Sequence, residues 1–274
     1  MKILSVLLRI ETLKTVKRRA FWVAVGVFAA INTSIAVDNV RTARRFPDFA
    51  HALPESWPSV LSGLTSPAGF FVAVLIILLV APEFSWRTGR QNVIDGLSKE
   101  RLYAGKVMLL AGLVALFVAT VLLIGIGGIL FSPSEGGPEI IRSTDFSYLA
   151  GLTLNLLFFG SAGLMLATMI RSAGPAMGVL FLYFLVEEAI VGLIRRAGET
   201  ATRITEYFPV NISEDLGDDL AHYPEVLASV NAVRAERGLA PLEFLDVEVL
   251  VTAVLAYSTI FLLISFLSMR RRDL

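Results

Sequence analysis

From Pro67 to Pro82 the chain carries no charged side chain, and Phe70 to Val80 is unbroken hydrocarbon. Sequence of that kind finds no water for its backbone in a bilayer, so its N–H and C=O groups must bond one another, as they do in a helix. Five further stretches have the same character, at about 21–37, 103–131, 146–170, 176–194 and 247–267. Crossing a bilayer takes roughly 17–25 predominantly apolar residues. Only 18% of the residues are charged, against about a quarter in a soluble domain. The expected fold is an all-α integral membrane protein of six transmembrane helices, with residues 1–274 as a single transmembrane domain.

Ahead of the first span, Ile3, Val6, Leu7, Ile10, Leu13 and Val16 recur at helical spacing, with Lys2, Arg9, Lys14 and Lys17 filling the other face. Residues 1–20 therefore read as an amphipathic helix lying in the membrane interface, its basic groups toward anionic lipid headgroups. A signal peptide fits less well, because the polar lead is long and no small-residue cleavage site follows. The short connection at 132–144 is rich in Pro and Gly, and residues 195–246 form a long polar loop. Within that loop Pro224 to Arg237 reads as a helix, with Pro at its first position and Gly238 past its end. Gly125, Gly127 and Gly128 in the third span read as a close-packing or kinking site. Gly160, Ser161, Gly163 and Ala167 in the fourth read as a surface that lets helices approach.

Basic residues set the expected orientation. Most of the 24 Lys and Arg fall in residues 1–20, in 83–106 and after the last span, whereas the short loops of the other side hold only Arg41, Arg44, Arg45 and Arg142. Under the positive-inside rule both termini and the segment 83–102 are cytoplasmic. The net charge is zero, so nothing implies a bulk attraction to nucleic acid. With no cysteine, disulfides, thiolate chemistry and Cys-based metal sites are excluded.

Few residues could carry chemistry. The apolar bodies of the spans hold no lysine or arginine, Lys106 being read as opening the third, but the fifth holds Glu187 and Glu188. An ionisable pair in a span is expensive and is a functional candidate by default. Its possible roles are lining a substrate path, coupling to protons or ions, and accepting hydrogen bonds from backbone ends of the last outer loop. Intramembrane proteases of the CAAX type share a paired glutamate, yet their arginine position is Gly192 here, and His51 and His222 both fall in loops. His222 among Asp218, Asp219 and Glu225 is a weak metal candidate, since a lone histidine among solvated acids is ordinary surface. No catalytic constellation is evident and no metal site is expected.

The segment Glu83 to Lys106 sets Arg87, Arg90, Lys99, Arg101 and Lys106 against Glu83, Asp95 and Glu100, between two of the most apolar runs. Residues 85–95 are long enough for about three helical turns, interrupted at Gly96. Ser98 can then N-cap the next helix, with Glu100 in its first turn. Such a loop would present Trp86, Arg87, Arg90, Gln91 and Asp95 toward a soluble partner.

Six spans, an interfacial N-terminal helix and a loop reading Glu83, Thr88, Ile94, Gly96-Leu97-Ser98, Arg101, Lys106 together resemble the ABC-2 type transporter permeases. The resemblance covers essentially the whole chain. Glu187 and Glu188 followed by Tyr207-Phe208-Pro209 add to it, whereas Arg87-Thr88 stands where the family has Gly-Thr. The resemblance implies a permease half of an exporter in the cell membrane (in a bacterium, the inner membrane), paired with a second half of the same or a different chain. It also implies a separate ATP-binding subunit that docks on the loop through Glu83, Trp86, Arg87, Thr88, Arg90, Gln91, Asp95, Gly96, Ser98, Arg101 and Lys106. ATP and Mg would be bound there and no cofactor by this chain, in which Gly105-Lys106 is followed by Val107 and no GxxxxGK[ST] occurs. The alternative is a membrane scaffold or assembly protein with no ATPase partner.

Overall fold

The computed structural model describes residues 2–45, 68–86, 91, 94, 96–131, 143–195, 204–221, 224–238, 241 and 245–271. Among them the chain is helical, without strands. The elements are α1 (Lys2–Val16), α2 (Arg19–Arg45), α3 (Ala68–Ser85), α4 (Lys99–Phe131), α5 (Ser143–Ile170), α6 (Ala173–Arg195), α7 (Pro209–Ala221), α8 (Pro224–Glu236) and α9 (Val247–Arg271). Six of these, α2 to α6 and α9, are long and apolar enough to cross a membrane.

The unbroken hydrocarbon run Phe70 to Val80 lies at the centre of the bundle. Of the spanning stretch of α3, 61% is buried, against 17% for α6 and 22% for α2 and α9. Val72, Leu75, Ile76 and Val80 have no exposed surface. The most extensive helix contacts are those of α5 with α3 and with α9, and α5 also touches α4, α6 and α7. Aromatic rings fill the outer seams. Phe28 of α2 meets Phe117 of α4 at 4.6 Å, Phe158 of α5 meets Phe261 of α9 at 5.5 Å, and Phe159 of α5 stacks on Phe184 of α6 at 5.4 Å.

The small residues of α5 explain its closeness to α3. A Cβ built on Gly163 would lie 2.6 Å from the carbonyl oxygen of Ala73 and 2.9 Å from its Cα, so the two backbones pass with no room for a methyl group. α2 runs further than the apolar stretch 21–37. It reaches Arg45, which places Arg41, Arg44 and Arg45 on its last turns rather than in a loop. α4 likewise begins at Lys99, ahead of the apolar run, because Ser98 accepts the Arg101 N–H at 3.3 Å and caps it. The helix expected from Pro224 is α8, with Gly238 at φ +68 closing it.

Candidate functional site

Hydrogen bonds define two ends of the bundle. The near end holds α1, the α3–α4 connection, the α5–α6 turn and the end of α9; the far end holds α7. The near end is built around one lysine. Lys106, in the second turn of α4, is 1% exposed, and its Nζ lies 2.9 Å from both carboxylate oxygens of Glu11 and 2.7 Å from Oε2 of Glu83. Half-buried Lys14 approaches the same two carboxylates at 3.7 Å. Two lysines and two glutamates make a neutral cluster. Neutrality matters because an uncompensated ion in such a place costs several kcal/mol.

The cluster joins three elements. Leu7, Glu11 and Thr15 recur every four residues and form the face that α1 turns to the bundle, while Leu8, Ile10, Leu13 and Val16 stay exposed on the protein surface. Exposed Arg9 and Thr12 lie among those four and exposed Lys17 follows them, so the outward side of α1 is mixed apolar and polar. Glu11 belongs to the inward face, so α1 is fixed to the bundle by charge as well as by packing.

A second tie involves Pro82, inside the last turn of α3. Proline has no N–H, so it leaves the Leu78 carbonyl without its helical donor. The Arg18 guanidinium fills the place, donating to the Leu78 carbonyl at 3.2 Å and to the Leu79 carbonyl at 2.6 Å. Arg18 sits in the turn between α1 and α2, where Trp22 Nε1 also donates to the Val16 carbonyl at 2.8 Å and closes α1.

Three more ties complete the near end. Arg171, between α5 and α6, adopts a left-handed φ of 60, a conformation that costs a non-glycine residue about 1–2 kcal/mol. Its carbonyl accepts from Ser85 Oγ at 2.6 Å and its guanidinium lies over the Phe84 ring at 5.4 Å, so contacts to the end of α3 offset the strain. From α4, Lys99 Nζ donates to the Arg270 carbonyl at 3.2 Å and Tyr103 Oη to the Leu262 carbonyl at 2.6 Å, while Ser265 on α9 meets Thr168 on α5 at 3.0 Å.

The residues singled out between Glu83 and Lys106 thus fall into distinct groups. Glu83 and Lys106 are buried and bonded to each other. Trp86 is 71% and Ile94 67% exposed. Gln91, Gly96 and Arg101 are also exposed, Gly96 at φ +97 where a side chain would be strained. Ser98 is the exposed cap of α4. Arg87, Thr88, Arg90 and Asp95 lie outside the described residues, as do His51 and His222.

At the far end Glu187 and Glu188 part company. Successive residues of a helix do not face each other, and Glu187 is buried while Glu188 is exposed. Oε1 of Glu187 accepts from the backbone N–H of Val210 at 2.8 Å and of Asn211 at 3.1 Å. These are the first free donors of α7, since Pro209 has none, and a carboxylate at a helix N-terminus also meets the positive end of its dipole. Asn155 of α5 holds the next turn, its Nδ2 donating to Ser213 Oγ at 2.9 Å and to the Ser213 carbonyl at 3.0 Å. Ile212 and Leu216 are fully buried beneath. Glu187 lies seven residues before Ile194, where the apolar stretch of α6 ends, so the start of α7 is tethered about 10 Å inside it.

Six helices of this length and apolarity define a multi-pass helical membrane protein. Residues 48–274 match the model of a family described as a protein of unknown function, DUF2705, and the chain belongs to that family. No curated protein matches it.

Glu11, Arg18, Tyr103, Asn155, Thr168, Arg171 and Ser265 carried no sequence signal of these roles, and Lys14 read only as part of a basic face. Pro82 carried a signal, because a proline inside a buried helix requires a donor for the carbonyl four residues earlier.

Proposed function

We propose that the chain is the membrane-spanning subunit of an ABC-2 type transporter, acting as an exporter and driven by ATP hydrolysed on a separate subunit. In this reading the near end of the bundle is cytoplasmic and the far end external. The observation that carries the reading is the mechanical arrangement of the α3–α4 connection. Both ends of that connection, Glu83 and Lys106, are locked in one buried ion cluster, while between them Trp86 and Ile94 stand exposed. A push on the exposed part reaches α1, α3 and α4 through the cluster, α5 through Ser85 and Arg171, and α9 through Lys99. Transmission through a rigidly joined set of helices is what a conformational drive from a soluble motor needs. ATP and Mg belong to that motor, and two permease halves would frame the path.

The test is purification of the tagged full-length chain from its native membranes. An ATPase subunit should co-purify, and Trp86→Ala, or substitution of Arg87, Arg90 and Asp95, should lower its transport-linked ATP hydrolysis. Recovery of the chain without any ATPase, or hydrolysis unchanged in all these variants, would overturn the proposal in favour of a scaffold.

A further inference from the structure

Between the far halves of α2 and α4 runs an open groove of about 410 Å³, within the range of small-molecule pockets. Its walls are almost wholly apolar, with Ala36 and Val37 on one side and Ile124 and Gly127 on the other. The glycines of α4 make the space. A Cβ on Gly127 would meet nothing within 4 Å, and one on Gly128 would make only ordinary contact with Ala36 at 3.6 Å. Of the glycines read in the sequence as a packing or kinking site, Gly125 is buried and Gly128 lies close to Ala36, whereas Gly127 leaves open space beside a continuous helix.

Two cations close the groove at its far end. Arg41 and Arg44 line it from consecutive turns of α2, and Arg44 Nη2 donates to the Phe131 carbonyl at 2.8 Å, which holds the guanidinium across the mouth. Among the described residues no carboxylate forms an ion pair with either arginine. From Thr33 to Arg44 the groove wall extends about 16 Å along α2, close to half of a hydrocarbon core about 30 Å thick. A groove of one leaflet's depth that is apolar inside and doubly cationic at the rim fits an amphiphile with a long acyl chain and an anionic head. Guanidinium groups suit phosphate oxygens in particular, since they present paired donors and keep their charge.

We propose that this groove is a binding site for an anionic phospholipid, with one acyl chain lying along Gly127 and Gly128 and the phosphate held by Arg41 and Arg44. It rests on the membrane assignment alone and is independent of any transport activity.

The experiment uses the purified full-length chain, delipidated in a neutral detergent and supplied with phosphatidylglycerol, phosphatidylcholine or inorganic phosphate. Retained lipid is counted by native mass spectrometry, and the melting temperature is followed in parallel. Phosphatidylglycerol should be retained at least tenfold better than phosphatidylcholine and should raise the melting temperature, whereas phosphate alone should not. Arg41→Gln/Arg44→Gln should abolish the preference between the two lipids. Gly127→Leu, at a groove-lining position where a Cβ meets nothing within 4 Å, should abolish retention while the lipid-free melting temperature is kept. Gly26→Leu, at another open position, should leave retention unchanged. Equal retention of the two lipids by the wild type, a shift by phosphate alone, or retention surviving both the arginine and the Gly127 variants would overturn the assignment.

Discussion

Lys106 Nζ lies 2.7 Å from Oε2 of Glu83, so the first turns of α4 and the last turn of α3 are joined by an ion pair almost wholly out of water. Lys106→Met would leave half-exposed Lys14 as the one lysine of the cluster facing Glu11 and Glu83. Breaking one side of a buried pair costs about 3–5 kcal/mol. Denaturant unfolding of the variant in detergent should show a loss of that order. Lys106→Met/Glu83→Gln should lose less than the two single variants added together. A single-variant loss under about 1 kcal/mol, the range of exposed pairs, would mean that water reaches the cluster.

Arg18 and Pro82 should be energetically coupled. In the wild type Arg18→Ala removes the donor that serves the Leu78 carbonyl. In a Pro82→Ala background the new Ala N–H can serve that carbonyl itself, so Arg18→Ala should cost less there. Contacting groups of this kind show coupling of about 0.5–3 kcal/mol. A double-mutant cycle measured by unfolding returns the number, and strict additivity would show that the two residues act separately.

For the glutamates, the geometry predicts opposite outcomes. Glu187→Ala deprives Val210 and Asn211 of an acceptor and should destabilise the attachment of α7 by about 1.5–3 kcal/mol, the worth of hydrogen bonds to a charged group. Glu187→Gln keeps an oxygen in place and should cost less. Glu188→Gln should stay within about 0.5 kcal/mol, as substitutions outside such networks do. Hydrogen exchange at Val210 and Asn211 reads the effect locally: exchange should accelerate in Glu187→Ala and not in Glu188→Gln. Equal protection in all three proteins would remove Glu187 as the cap.

How much of this was legible beforehand depends on the range of the interaction involved. The spans, the Ser98 cap and the helix from Pro224 follow from local apolarity and capping chemistry, which neighbouring residues decide. Backbone capping was one of the roles the sequence left open for the glutamates, but nothing local distinguishes Glu187 from Glu188. Glu11 was hidden for another reason. On an amphipathic helix it reads as part of the polar face, and only the docking of α1 against α4 turns it inward to Lys106. Arg18 read as one of the basic residues ahead of the first span, yet it serves the backbone of α3 from a distant part of the chain; nothing local marked Arg171, whose carbonyl accepts from Ser85 across the bundle. Gly127 failed in the other direction. A glycine in an apolar span marks either contact or emptiness, and the facing helix decides which.

That distinction between glycines gives the last prediction. At Gly163 the neighbour is the backbone of Ala73, which cannot rotate aside as a side chain can. Gly163→Ala should therefore push α5 away from α3, the two helices at the centre of the bundle, and overpacking of that kind costs about 1–3 kcal/mol. Gly127→Ala meets open space and gains the higher helix propensity of alanine, about 1 kcal/mol, in the same protein. The two substitutions add the same methyl group in the same lipid environment, so their difference isolates the helix–helix contact. Unfolding in detergent should place Gly163→Ala below the wild type and Gly127→Ala at or above it. If both shift stability alike, the close approach of α3 and α5 is relaxed in the membrane, and the tight seam at Ala73 does not hold the bundle.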